Sequence, residues 1–122
     1  INKGALVEAF VGQELLAYSD PFVKGSLFYW HRKAPSSSAE IDYLIQQGQY
    51  VIPVEVKSGH GTTLKSMHAF LQEHARSPYG IRFSEKNYSV LQKLHSYPLY
   101  AVAKVASQGK KEIRESLEAL VP

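Results

Sequence analysis

The sequence predicts an α/β domain, and three observations lead there. Helical and strand-like patterns alternate along 122 residues, a length that suits one domain. The chain is 44% hydrophobic, with eight Tyr, five Phe and one Trp, enough to fill a core. Val51-Ile52-Pro53-Val54 is a nearly continuous apolar run, which suggests a strand covered on both faces, as in sheets flanked by helices. The expected order is α-β-β-β-α-β, followed by a further strand and a closing helix.

Residues 4–18 contain no Pro and read as a helix. Leu6, Ala9, Phe10, Leu16 and Ala17 form one apolar face, and Val7, Val11 and Leu15 leave little polar surface opposite. A helix apolar nearly all round is expected to be buried on several sides. Glu14 sits inside that pattern and needs a partner. Asp20-Pro21 marks a turn, and residues 26–32, rich in Phe, Tyr and Trp, read as a strand. Trp30 is expected in the core, with Tyr29 on the opposite face. Residues 33–38 have loop composition. Strands at 40–46 and 49–57 follow, joined by a turn at Gln47-Gly48. A helix is expected over 63–76, with Leu64, Met67, His68, Leu71 and Ala75 at helical spacing and Thr62 or Thr63 as N-cap. Residues 81–84 read as a short strand and 98–105 as a longer one. The stretch 110–120 reads as an amphipathic helix carrying Ile113, Leu117 and Leu120.

Composition excludes several classes. Without cysteine there is no disulfide framework and no thiolate zinc site. No run approaches the roughly 18 to 20 apolar residues of a membrane span, and no signal-peptide pattern opens the sequence. A cytoplasmic location is the default expectation. The chain starts Ile1-Asn2-Lys3 and enters a helical pattern at once, which reads as a single domain, 1–122, cut from a longer protein with the missing part on the N-terminal side. A formal charge of +3 and a pI near 9.1 suit contact with phosphates but are common in proteins that bind no nucleic acid.

The central hairpin carries the chemistry. Alternate strand residues share a face, so Glu40, Asp42 and Leu44 should point one way, as should Pro53, Glu55 and Lys57. With Gln47-Gly48 as a two-residue turn, Asp42 falls opposite Pro53 and Glu40 opposite Glu55. Asp42 and Glu55 are then diagonal neighbours at roughly 7–8 Å, within reach of one cation. Mg²⁺ and Mn²⁺ take oxygen ligands, often one or two carboxylates with water and substrate phosphate. Lys57 is placed to orient a water or offset negative charge as a phosphodiester is hydrolysed.

The plain alternative is an amphipathic hairpin with its charges in water, a common arrangement. Two features weigh against it: the apolar run before Glu55, and the glycine turn with a helix start after Lys57, where backbone N–H groups attract phosphate.

Glu14, Asp42 and Glu55-Val56-Lys57 resemble the PD-(D/E)XK phosphodiesterase superfamily. More narrowly, Gly12-Gln13-Glu14-Leu15, Tyr29-Trp30, Glu40-Ile41-Asp42-Tyr43, Val54-Glu55-Val56-Lys57-Ser58 and Pro98-Leu99-Tyr100 resemble an uncharacterised domain. That domain usually follows an AAA-type ATPase core in bacterial and archaeal proteins. The similarity runs from about Leu6 to Val102. It implies a restriction-endonuclease-like αβββαβ core, a central mixed sheet flanked by helices. It further implies Asp42 and Glu55 as metal ligands, Lys57 as catalytic lysine, and Glu14 as a further acid binding the metal directly or through water. Ile41 stands where the superfamily name has Pro.

Other motifs are weaker. Gly59-His60-Gly61-Thr62-Thr63 lacks the Gly-Lys-Ser/Thr ending of a phosphate loop. The five histidines show no metal-ligand spacing. His31-Arg32-Lys33 and Lys110-Lys111 read as solvated, with a supporting grip on a nucleic-acid backbone as the alternative. Lys65, just inside the second helix, also reads as solvated, with reach to the site as its alternative. Three functions remain in play. The first is a Mg²⁺- or Mn²⁺-dependent nuclease domain acting on DNA and attached to an ATPase. The second is a catalytically silent module binding nucleic acid or a partner. The third is a structural domain supporting ATPase assembly.

Overall fold

The computed structural model describes residues 3–17, 28–34, 37–47, 49–57, 64–107 and 118–120. The architecture is α/β: helix α1 (Lys3–Ala17), strands β1 (Phe28–Ala34), β2 (Ser37–Gln47) and β3 (Tyr50–Val56), helix α2 (Lys65–Glu73), and strands β4 (Gly80–Ser84), β5 (Ser89–Leu91) and β6 (Leu94–Pro98). A 3-10 turn, Leu99–Ala101, leads into a helical segment at 102–107. The six strands form one mixed sheet in the order β1-β2-β3-β4-β6-β5. Pairs β1–β2, β2–β3 and β5–β6 are antiparallel; β3–β4 and β4–β6 are parallel. The parallel step from β3 to β4 needs a crossover, and α2 provides it.

Each sheet face carries its own apolar cluster. Val11 and Leu15 of α1 pack with Ile52, Val54, Ile81, Phe83, Val102 and Val105 on one face. Leu64, Met67, Phe70 and Leu71 of the α2 region pack with Ile41 and Leu94 on the other. Burial on both faces accounts for the apolar stretch Ile52-Pro53-Val54 of β3.

Several sequence expectations are corrected. On α1 the buried residues are Val11 and Leu15, whereas Leu6, Phe10 and Leu16 are exposed. The predicted face was assembled from the larger side chains, but the sheet selects the stripe in phase with Val11. Of the predicted loop at 33–38, residues 33, 34, 37 and 38 belong to strands, Lys33 pairing with Ser38 and Ala34 with Ser37; residues 35 and 36 lie outside the described residues. Residues 98–105 are not a strand. The strand is Leu94–Pro98, and Val102 and Val105, three residues apart, are buried from a helical segment. Tertiary packing there overrides the strand preference of valine and tyrosine. Helix α2 is shorter than expected and carries Leu64 at its N-cap position with no side-chain cap. His68 and Ala75 are exposed; Phe70 completes the buried stripe. The side chains of Tyr29 and Trp30, and the residues Thr62, Thr63 and 110–117, lie outside the described residues. Of the predicted closing helix only 118–120 is described, and Leu120 is exposed there.

The β2–β3 register also differs from expectation. Gln47 pairs with Tyr50 and Leu44 with Pro53, two residues away from the predicted pairing. Gln47 belongs to the strand: it is buried, accepts a hydrogen bond from the Tyr79 hydroxyl and donates to the Val105 carbonyl at 3.4 Å. A slip of two residues by itself preserves which side chains share a face, but pairing ends at Tyr43–Val54, so neither Asp42 nor Glu40 is paired with Glu55.

Candidate functional site

The sheet face beneath α2 is organised in rows. Leu44 pairs with Pro53, and the same register carries the row to Gly80, paired with Leu94, which faces Leu91. This row is apolar or small, and α2 lies on it. Gly80 is required there, because a Cβ would overlap the Met67 sulfur. The next row is polar throughout. Glu55 pairs with Arg82, which pairs with Ser96, which faces Ser89, and the Asp42 charge acts on Glu55 from beyond the last β2–β3 pair. Lys57 and Ser84 lie one step further, at the carboxyl ends of the parallel strands, where open α/β sheets bind ligands.

Asp42 reaches this row through an irregularity in β2. Phe28 pairs with Leu44 but Trp30 with Ile41, so two steps on β1 span three on β2. That is a β-bulge, which breaks alternation and re-aims a side chain. Its effect is visible in packing. Ile41 and Leu44 belong to the α2 side, while Tyr43 packs on the α1 side. The Asp42 carboxylate accepts a hydrogen bond from the Val56 N–H at 2.7 Å. Beyond Tyr43–Val54 the two backbones no longer pair, and the aspartate satisfies the amide that the ladder leaves open.

Glu55 is buried, with 7% of its surface exposed. Its Oε1 forms an ion pair with Lys57 Nζ at 3.2 Å, and Lys57 is one-third exposed. Its Oε2 is buried and has no hydrogen-bond partner among the described residues. An orphaned carboxylate oxygen in a folded interior calls for an explanation, and an absent ion is one of the standard ones. Burial pushes the Glu55 carboxyl above its usual range and the Asp42 charge pushes the same way; Lys57 and Arg82 pull against them. Burial likewise raises Asp42, opposed by the Val56 amide and Lys57.

Of the four residues singled out from sequence, the structure brings Asp42, Glu55 and Lys57 into electrostatic contact. Glu14 is partly buried on α1. Glu8, on the same helix, has its carboxyl raised first by burial, then by the charges of Asp42 and Glu40. Helical phase places Glu8 there. Glu8, Val11, Gly12 and Leu15 follow the i, i+3, i+4, i+7 spacing of one stripe, whereas Glu14 lies about 240° round the helix from Glu8 and about 9 Å along it. Tyr43 fixes the approach: its hydroxyl donates to the Glu8 carbonyl at 3.0 Å, and Gly12 leaves the space that the phenol occupies. The signal for Glu8 was present in that spacing and was obscured by the larger apolar side chains of the opposite face. Arg82 and Ser96 carried no motif; only the strand register singles them out.

Among the described residues, no three His, Cys, Asp or Glu side chains gather into a ready cation cage. The Asp42–Glu55 pair fits a hard cation that fills its remaining positions with water and substrate oxygens, and the orphaned Glu55 Oε2 is the atom that supports the fit.

The family described as "Domain of unknown function (DUF4143)" matches residues 3–105. The chain belongs to this family. No curated protein matches this DUF4143 chain, and no solved structure does. The match spans the polar row, both clusters and every strand of the sheet. Among the described residues no helix is long and apolar enough to cross a membrane.

Proposed function

We propose that this DUF4143 domain is a metal-dependent phosphodiesterase of the PD-(D/E)XK type, acting on DNA, with an AAA-type ATPase in the same full-length protein. The observation that carries the reading is the buried, half-satisfied Glu55 carboxylate set between Asp42 and Lys57. A carboxylate placed so costs stability, and the cost has a purpose if a cation completes the site.

In this reading Asp42 and Glu55 hold Mg²⁺ or Mn²⁺. The ion, when bound, supplies Lewis-acid stabilisation of the phosphoryl group and lowers the pKa of a bound water. The chain's own residues do the rest. The Val56 amide holds one Asp42 oxygen and so orients the carboxylate. Lys57, tethered to Glu55 Oε1 and partly open to solvent, can direct a water or offset charge on the phosphate. Glu8, near Asp42 and with its carboxyl held above the usual range, is a further helix acid able to hold a proton at the site, beside the expected Glu14.

The test is cleavage of DNA and RNA by the intact protein with Mg²⁺ or Mn²⁺, alongside calorimetry of metal binding. Lys57→Ala should keep metal binding and lose cleavage by at least about 100-fold. Asp42→Ala should lose both. A wild-type protein that neither binds metal nor cleaves would transfer the site to the second reading, a silent module binding nucleic acid or a partner. The Lys57–Glu55 ion pair, which already neutralises part of the site, is the feature favouring that alternative.

A further inference from the structure

Arg82 is a charged residue in the polar row with no role in the scheme above. It stands directly beside Glu55 in the parallel β3–β4 register, and its charge is felt at the Glu55 carboxyl. Yet the two form no close ion pair, although Glu55 Oε2 has no partner among the described residues. Arg82 Nε instead donates to Ser96 Oγ at 3.1 Å. Ser96 is 2% exposed and sits opposite Arg82 on β6, so the anchor is rigid. This bond uses one of the five guanidinium donors and leaves both terminal nitrogens for another acceptor. Arg82 itself is partly exposed.

A cation placed only to neutralise Glu55 would close on the orphaned oxygen. One anchored by a buried serine, with both terminal nitrogens unspent and the residue partly exposed, is arranged for a second anion. Carboxylate and phosphate both match that fork. A cation held by the acids would draw either anion, and the phosphodiesterase reading of the site selects the phosphate.

Resting on the phosphodiesterase reading, we propose that Arg82, steadied by Ser96, grips a phosphate of the nucleic-acid backbone beside the Asp42–Glu55 pair. The residue binds substrate and holds its register; the acids and Lys57 act on the bond.

The experiment uses the intact protein and a short labelled DNA duplex, with Ca²⁺ replacing Mg²⁺ so that binding is read without turnover. Affinity is measured across a salt series, and Mn²⁺ affinity by calorimetry without DNA. Arg82→Gln should weaken duplex binding about 10-fold and reduce the slope of log affinity against log salt by about 1, with Mn²⁺ affinity unchanged. Arg82→Lys, which keeps the charge but loses the fork, should keep the slope and lose part of the affinity. Unchanged slope and affinity in Arg82→Gln overturn the proposal. So does a change confined to Mn²⁺ affinity, which would make Arg82 a counter-ion of Glu55, and so does a wild-type protein that binds no duplex. A wild-type protein that binds duplex but neither binds Mn²⁺ nor cleaves removes the nuclease reading, while the salt slope still decides the role of Arg82.

Discussion

Glu55 concentrates the energetic conflict of the molecule in a single side chain. Its carboxylate is buried, ion-paired through one oxygen and without a partner among the described residues at the other. Removing the charge should therefore stabilise the metal-free protein. Glu55→Gln keeps the shape, leaves the partly exposed Lys57 free to be hydrated, and should gain about 1 kcal/mol at pH 7, a rise in Tm on the order of 4 °C. The pH dependence has a definite sign. The folded-state pKa is raised above the ordinary value of 4.5, so the native state holds the proton over a range in which the unfolded chain has lost it. Stability of the wild type is then highest below that ordinary value and falls as pH climbs through the raised one. Thermal melts from pH 4 to pH 8 in a chelator should show wild type and Glu55→Gln converging at the acid end. A constant gap between the two would contradict burial of the charge.

At the scale of elements, two departures from regularity bring α1 and β2 to the site. The β2 bulge turns Asp42 toward the end of β3 while Ile41 stays in the α2 cluster. The second is the close approach of α1 to Tyr43 over Gly12. In an isolated helix, Gly12→Ala would gain about 1 kcal/mol of helix propensity. Here the added methyl overlaps a phenol held by its bond to the Glu8 carbonyl. Overpacking of a fitted contact costs about 1–3 kcal/mol, and loss of the Tyr43 bond adds about 1 kcal/mol. The variant should be less stable by about 1–3 kcal/mol in urea denaturation, with an unchanged m-value. Tyr43→Phe combined with Gly12→Ala should not restore it, since the ring still fills the space. A stabilised Gly12→Ala would mean that α1 can lift from the sheet at little cost.

For the whole molecule, binding and stability are one equilibrium. A cation that binds the native Asp42–Glu55 pair and not the unfolded chain stabilises the fold by about 2.7 kcal/mol at a hundredfold excess over its Kd. It also relieves the repulsion between the two carboxylates. Mn²⁺ should raise the Tm of the wild type in a concentration-dependent way, and chelation should reverse the shift. Asp42→Ala and Glu55→Gln should each remove the response, the second despite its higher starting Tm. An equal Mn²⁺ response in all three proteins would place metal binding elsewhere.

Local sequence was sufficient for much of this. The apolar run at 51–54 required a strand covered on both sides, which is an α/β sheet, because burying both faces takes a helical layer on each. The alternation of β3 put Glu55 on the face opposite Val54, whereas Asp42 comes beside it through the β2 bulge, which interrupts alternation between Ile41 and Leu44. Lys57 followed from the same parity. What remained hidden depended on distances between segments. Which stripe of α1 meets the sheet is decided by what lies beneath it, so Glu8 and Glu14 were indistinguishable in a helix apolar nearly all round. The helical state of 102–107 was decided by the cavity that Val102 and Val105 fill, against the local preference of valine for strands. Arg82 stands beside Glu55 only because β4 lies parallel to β3 in one register. A strand carries no record of its neighbour; pairing across the sheet is a property of the folded chain, and it alone brought arginine, serine and the two acids into one row.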